Sequence, residues 1–323
     1  DGLYRALVFL DISCPCALVV SSPLGYFGGI GAASKNGILF KGSNYLDQVT
    51  QVDTVVMDKT GTLTKGIFEV QKVISPEFEE KNFLKIVAAL EANSTHPIAQ
   101  AIVQFVGETY KEVSVSEVEE ISGHGLKGKI NNDEVLAGNG KLLDKFNVSF
   151  DKQLNNLTDT TVLVAVNGKY AGHITIADTL KDDAEKAIKT LHPASIKEVI
   201  MLSGDKQAVV DKIAGQLGLD KAYGGLLPED KVKEVERLKS EGRLVAFVGD
   251  GVNDAPVITI ADVGMAMGGL GSDAAIETAD VVIQTDHPSK IATAIKIGKA
   301  TKRIVWQNIG LAFGVKLIVL ALG

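Results

Sequence analysis

The 323-residue sequence holds only two cysteines, Cys14 and Cys16, one residue apart, so no disulfide framework staples distant segments. No block rich in lysine and arginine is present and the formal net charge is −7, which argues against nucleic acid as a partner. No internal repeat or low-complexity tract stands out, and the length allows two or three domains. A basic start followed by a short apolar core and a small-residue cleavage site is also missing, so the opening residues do not read as a secretory signal.

What the chain does have at each end is apolar sequence. Once Arg5 and Asp11 are passed, the stretch to Ala33 is nearly free of charge and exceeds the roughly 20 residues a membrane helix needs. Residues 304–323 are apolar apart from Gln307, Asn308 and Lys316. Both ends are predicted as transmembrane helices, the second cut short, and the absence of a first methionine predicts a fragment.

Between them, residues 81–106 have helical periodicity broken at His96-Pro97, where proline can open a new helix. Residues 113–171 supply short alternating strands such as 161–166, closed by the turn Asn167-Gly168, and predict an antiparallel α/β insert. From Ile174 the texture changes to strands at 199–202 and 244–248 alternating with helices at 206–217 and 230–241, the pattern of a parallel sheet. The expected organisation is a membrane helix at 1–34, an α/β domain split into 35–65 and 174–302, the insert at 66–173, and a membrane helix at 303–323.

Three apolar strands of the split domain end on residue types suited to phosphate chemistry: Asp58, Ser203-Gly204-Asp205, and the run Gly249-Asp250-Gly251-Val252-Asn253-Asp254. In open α/β sheets ligands bind beyond the carboxyl ends of strands, so these side chains can converge on one crevice. Aspartate can attack a phosphoryl group, which makes Asp58 a candidate nucleophile. Asp250 would share Mg²⁺ with it, since that cation prefers oxygen ligands. Lys231 can meet phosphate as a point charge, and Ser203 offers a hydroxyl.

The pentapeptide Asp58-Lys59-Thr60-Gly61-Thr62 resembles the phosphorylation signature of the P-type ATPases, and the match to their phosphorylation domain runs across nearly all of residues 35–300. The resemblance implies a haloacid dehalogenase-like Rossmannoid α/β phosphorylation domain with an inserted antiparallel α/β nucleotide-binding domain, flanked by transmembrane helices. It implies catalytic roles for Asp58, Lys59, Thr60, Ser203, Gly204, Asp205, Lys231 and Asp254, with Mg²⁺ at Asp58, Thr60 and Asp250 and with Asp254 organising the metal site. Phosphatases of that superfamily carry an aspartate where this chain has Thr60, so the phosphoenzyme is expected to outlive a phosphatase intermediate. His96-Pro97, with Glu91, Gly123-His124-Gly125 and Gly138-Asn139-Gly140, is similar to the nucleotide-binding domain of the heavy-metal branch. That implies Glu91, His96 and Pro97 at the adenine end of ATP and Gly123, Gly125, Gly138 and Asn139 along the cleft. His124, His173, His192 and His287 are expected to be structural or exposed, and Asp178 and Lys181 to help sense nucleotide.

On a regular helix residues two apart point about 200° from each other, but Pro15 unwinds the turn and lets the thiols of Cys14 and Cys16 face one ion. Thiolates select soft or borderline metals. Cys14-Pro15-Cys16 resembles the heavy-metal branch, and Lys316, in place of a copper-binding pair, resembles its zinc, cadmium and lead exporters, where a lysine lies near the transport site. The expected function is ATP-driven export of Zn²⁺, Cd²⁺ and Pb²⁺ through an aspartyl phosphate, with a copper(I) exporter, a soluble phosphatase of the same fold and a membrane-anchored metal sensor as rivals. Expected partners are ATP, the metal ions, the lipid bilayer, and the actuator domain and remaining helices of the same pump. The expected location is the bacterial plasma membrane, with the phosphorylation and nucleotide domains in the cytoplasm.

Overall fold

A computed structural model describes residue 2 and residues 16–156, 159–251, 254–268 and 273–322. Strands β1 (Ile38–Phe40) and β2 (Thr54–Asp58) come first in the chain. They are succeeded by β3 (Thr64–Ile74), β4 (Val115–Ile121), β5 (Gly125–Ile130), β6 (Asp133–Gly138), β7 (Thr160–Val166) and β8 (Lys169–Leu180). The last five are β9 (Glu198–Leu202), β10 (Lys221–Tyr223), β11 (Val245–Gly249), β12 (Val263–Met267) and β13 (Val281–Ile283).

Two compact units divide these elements, one running up to Leu63 and onward from Lys181, the other comprising Thr64–Leu180. The second begins and ends outside the expected bounds of 66 and 173, because β3 and β8 pair from Thr64 opposite Leu180 to Ile74 opposite His173 and belong to it whole.

The first unit is built on a seven-stranded sheet of order β1-β13-β12-β11-β2-β9-β10. All pairs are parallel except β1 with β13. β2, β9, β11 and β12 are buried along their whole length, which is what a parallel sheet covered on both faces demands of its strands and why Val55–Met57, Val199–Leu202 and Val245–Val248 read as apolar runs. Val56, Ile200, Phe247 and Val257 belong to the core beneath helix Pro228–Ser240, along with Val235 and Leu238 of that helix. This helix starts on Pro228, and the Asp230 carboxylate accepts the Leu227 N–H at 3.2 Å, so two orphaned positions of its first turn are provided for. Register then sets the site: Asp58 lies opposite Leu202 of β9 and Met57 opposite Val248 of β11, so three strands end at one level.

Helices form at both ends, Cys16–Lys35 and Lys290–Leu322, and pack closely through small residues. A Cβ at Gly25 would lie 2.7 Å from Val305 Cγ2, and one at Gly29 only 2.3 Å from Thr301 Oγ1. The sequence predicts membrane spans here. Among the described residues no helix is long and apolar enough to cross a membrane. The last helix opens with Lys290, Lys296, Lys299, Lys302 and Arg303, and Gln307, Asn308 and Lys316 interrupt its apolar C-terminal half. Most of the first expected span, residues 3–15, lies outside the described residues.

The second unit carries an antiparallel sheet of order β3-β8-β7-β6-β5-β4. On β7, Val162 and Val164 join a core with Phe83, Val87, Leu90 and Ile102 of helices Glu80–Glu91 and Pro97–Val106, while Leu163 and Ala165 join another with Leu142 and Leu143. Successive side chains point to opposite faces, and both faces are covered, so this strand too is continuously apolar.

Candidate functional site

Asp58 closes β2 as a buried carboxylate, and the chain turns sharply after it through Lys59–Leu63. The Lys231 ammonium donates to Asp58 Oδ1 at 2.5 Å and to Asp254 Oδ1 at 3.0 Å. Carboxylate oxygens of Asp58, Asp250 and Asp254 all lie within 4.8 Å of one another. Burial raises the Asp58 carboxyl above the ordinary carboxylate range, Asp254 adds to this and Lys231 opposes it. Burial, reinforced by Asp254, pushes Asp250 up to about 6. Desolvation works against the Lys231 charge, but Asp58 and Asp254 outweigh it and hold this ammonium above its usual range.

Lys231 is the cation that bridges two of the three acids, and the ligand atoms the acids offer are all oxygens. That donor set fits Mg²⁺ and not a soft metal. Thr60 is exposed in the turn beside this cluster. Lys59 is buried against Asp205, Nζ to Oδ2 at 2.6 Å. Ser203 is buried and its hydroxyl oxygen accepts the Asp205 N–H at 3.1 Å; Gly204 lies between them, and a Cβ there would meet only the Leu226 carbonyl oxygen, at 3.4 Å.

Sequence reasoning missed how the turn is held. Gly61 adopts φ +72°, and a Cβ there would sit 1.5 Å from Asp250 Oδ2. Lys181, expected to help sense nucleotide, is buried instead, its ammonium donating to the Gly61 carbonyl at 2.5 Å and to Asp286 Oδ1 at 2.8 Å. Asp286 has no signal in the sequence. Asp178 lies in the other unit, where it accepts the Thr64 hydroxyl at 2.5 Å.

In the second unit a cavity of about 310 Å³ is lined by Glu91, His96, Gly123, Gly125, Gly138 and Asn139, six of the seven residues singled out for nucleotide. The seventh, Pro97, is the first residue of helix Pro97–Val106, which His96 caps by accepting the Ile98 N–H on Nδ1 at 3.3 Å. Ser94, Glu120, Thr160 and Thr161 also line the cavity, as does His124. His173 by contrast is buried, its Nδ1 2.6 Å from the Tyr170 hydroxyl, and His192 and His287 lie 3.4 Å from Asp220 and Asp183. Burial, with Glu120 nearby, pushes the Glu91 carboxyl up to about 7. Asn139 is committed to structure: its Oδ1 accepts the N–H groups of Lys141 and Leu142, and its Nδ2 donates to the Gly123 carbonyl at 2.9 Å. Cys14 lies outside the described residues; Cys16 opens its helix, and its side chain is likewise outside them. Lys316 is half-buried in helix Lys290–Leu322.

Residues 52–262 match the haloacid dehalogenase-like hydrolase family. The whole chain is 52% identical to 46% of the cadmium, zinc and cobalt-transporting ATPase of Bacillus subtilis (strain 168), so it spans about half the length of the curated relatives it matches. It is 37% identical to a zinc-transporting PIB-type ATPase crystallised in the E2.Pi state, with a TM-score of 0.87 over 98% of this chain and 53% of that one. It also covers 98% of the catalytic domain of the CPx-ATPase CopB-B, at 31% identity over 83% of this chain and a TM-score of 0.66. With an aspartate at the end of a central parallel strand, a lysine bridging two carboxylates and a cavity-bearing insert, the chain belongs to the haloacid dehalogenase-like hydrolases and, within them, to the P-type ATPases of the heavy-metal, CPx kind.

Proposed function

We propose that the chain is the catalytic portion of an ATP-driven exporter of soft and borderline divalent metals, Zn²⁺ and Cd²⁺ first and Pb²⁺ by shared chemistry. One observation carries this reading: Asp58 ends its strand beside Lys231, with Asp250 and Asp254 close enough to share a cation with it. A carboxylate oxygen of Asp58 bonds to the γ-phosphorus of ATP as the bond from that phosphorus to the bridging oxygen breaks, and ADP leaves with the electron pair. Asp58, Asp250 and Asp254, with Thr60, would hold Mg²⁺, which supplies the positive charge that lets an anion approach three acids. Lys231 then turns its charge from the carboxylates to the phosphoryl oxygens, helped by the Ser203 hydroxyl, and Lys59 keeps Asp205 in place. Water later cleaves the acyl phosphate, returning the carboxylate and releasing inorganic phosphate.

The insert supplies nucleotide from the cavity at Glu91 and His96. Cys14 and Cys16 are the ligands for the transported metal, Lys316 acts near them, and the pump sits in the plasma membrane with both catalytic units in the cytoplasm. The zinc and cadmium of the relatives' names support this metal class, and copper(I) is the less favoured cargo. Thr60, where a phosphatase needs an acid, speaks against simple hydrolysis.

Incubation with Mg²⁺ and γ-labelled ATP is expected to give an acid-stable, hydroxylamine-labile label, absent from Asp58→Asn. Label that persists in that variant would overturn the assignment. In the complete protein, labelling compared across Zn²⁺, Cd²⁺, Pb²⁺ and Cu⁺ identifies the cargo.

A further inference from the structure

The unit that carries Asp58 has a cavity lined in part by basic side chains, which the phosphoryl chemistry does not use. It measures about 320 Å³ and lies between the turn at 193–195 and the basic face of helix Lys290–Leu322. Lys296, Lys299 and Arg303 line it, spaced three and four residues apart and therefore on one side of the helix. Lys299 is built into the wall, its ammonium donating to the Ala194 carbonyl at 2.6 Å. Lys296 and Arg303 are exposed, and among the described residues neither has a hydrogen-bond or ion-pair partner. No acidic side chain lines the space. Three cations around one concavity with nothing to balance them select an anion, and lysine and arginine together suit phosphate oxygens.

The surroundings indicate the source of that phosphate. Immediately beyond Arg303 the helix turns its apolar side chains outward, with Trp306 63% exposed and Leu311 70%. Trp306 lies three residues past Arg303 and shares its face, and an exposed tryptophan at a boundary between basic and apolar surface marks a membrane interface. The neighbouring helix Cys16–Lys35 runs antiparallel, as the approaches of Gly25 to Val305 and Gly29 to Thr301 require, and exposes Val20, Leu24 and Phe27 at the same level. Apolar surface on two adjacent helices thus adjoins the cationic cavity.

We propose that this cavity seats the phosphate of an anionic phospholipid headgroup, with Lys296 and Arg303 as its ligands and Lys299 shaping the wall. The inference rests on the reading that the chain sits at a membrane. In vesicle flotation, the chain is expected to bind phosphatidylcholine vesicles containing phosphatidylglycerol at least 30-fold better than phosphatidylcholine alone. Lys296→Gln with Arg303→Gln should cut binding to the anionic vesicles roughly 30-fold, about 1 kcal/mol for each cation, and leave binding to phosphatidylcholine unchanged. The control Lys81→Gln with Lys169→Gln removes the same charge from the other unit and should change binding less than twofold. An equal fall in that control would mean net charge alone is responsible and overturn the proposal. So would saturable binding of inorganic phosphate in the absence of vesicles that is tighter than binding to the anionic vesicles and is lost in the double variant, which would make a soluble anion the ligand. Equal binding to both vesicle types removes this proposal alone, whereas binding to neither removes the membrane reading with it.

Discussion

At the scale of single residues, Gly61 meets two demands together. Its φ of +72° is a conformation that side chains with a Cβ adopt only at a cost of about 1–2 kcal/mol, and its missing Cβ makes room for the Asp250 carboxylate. Gly61→Ala is therefore expected to push Asp250 away from Asp58 and to lower the rate of labelling from ATP by about 100-fold, the cost of a misplacement near 1 Å, with the circular dichroism spectrum unchanged. A rate within threefold of the parent would show that Asp250 need not stand where it does. Asp58, Asp250 and Asp254 were legible in the sequence because each is an acid at the end or start of an apolar element, and Lys231 because it follows Pro228-Glu229-Asp230 in the first turn of a helix. The props of the turn were not. Lys181 reaches the Gly61 carbonyl across 120 residues of sequence and Asp286 across a further 105, and no local pattern records such a meeting.

Among elements, the insert shows why a motif can be readable while its reason is not. Gly125 and Gly138 stand out as close-approach glycines and were expected to make room for nucleotide. They face each other across the β5–β6 ladder, and a Cβ on Gly125 would lie 2.2 Å from the Ala137 carbonyl oxygen. The approach is of strand to strand as much as of ligand to strand. Gly125→Ala should cost the Thr64–Leu180 unit about 2–3 kcal/mol, and the thermal midpoint should fall by about 10 °C before nucleotide is added. A variant that melts normally and loses only nucleotide affinity would return the glycine to a purely ligand-facing role. Other elements were plain from pattern. The run at 161–166 ending in Asn167-Gly168 gives β7, continuously apolar where alternation was expected, and a turn with φ of 48° and 73°, and the break at His96-Pro97 separates two helices. β10 and β13 have three residues each, too few for any period, and β12 reads Val-Gly-Met-Ala-Met, without the β-branched run that marks a buried strand.

For the whole molecule, the division into two units makes a test of folding possible. The Thr64–Leu180 unit has its own apolar cores, and its first and last residues are partners on neighbouring strands, so its ends lie side by side. Expressed alone, residues 64–180 should unfold cooperatively. Their stability should also carry a signature of Glu91. Its carboxyl rises from an unfolded value of 4.5 to about 7, chiefly through burial and secondly through Glu120. Below 4.5 both states keep the proton, and above 7 both have lost it. Between these values the unfolded chain has released a proton that the folded unit retains, so raising the pH favours unfolding. At about 1.4 kcal/mol per unit, the loss over this window is on the order of 3 kcal/mol. His173 works the other way, since burial lowers its pKa and so makes the fold gain stability as pH rises. The comparison that isolates Glu91 is therefore Glu91→Gln against the parent, each melted at pH 4.5 and pH 8. The substitution should be nearly neutral at the lower pH and stabilising by about 2–3 kcal/mol at the higher, whereas an equal effect at both would mean that Glu91 titrates as an ordinary surface carboxylate.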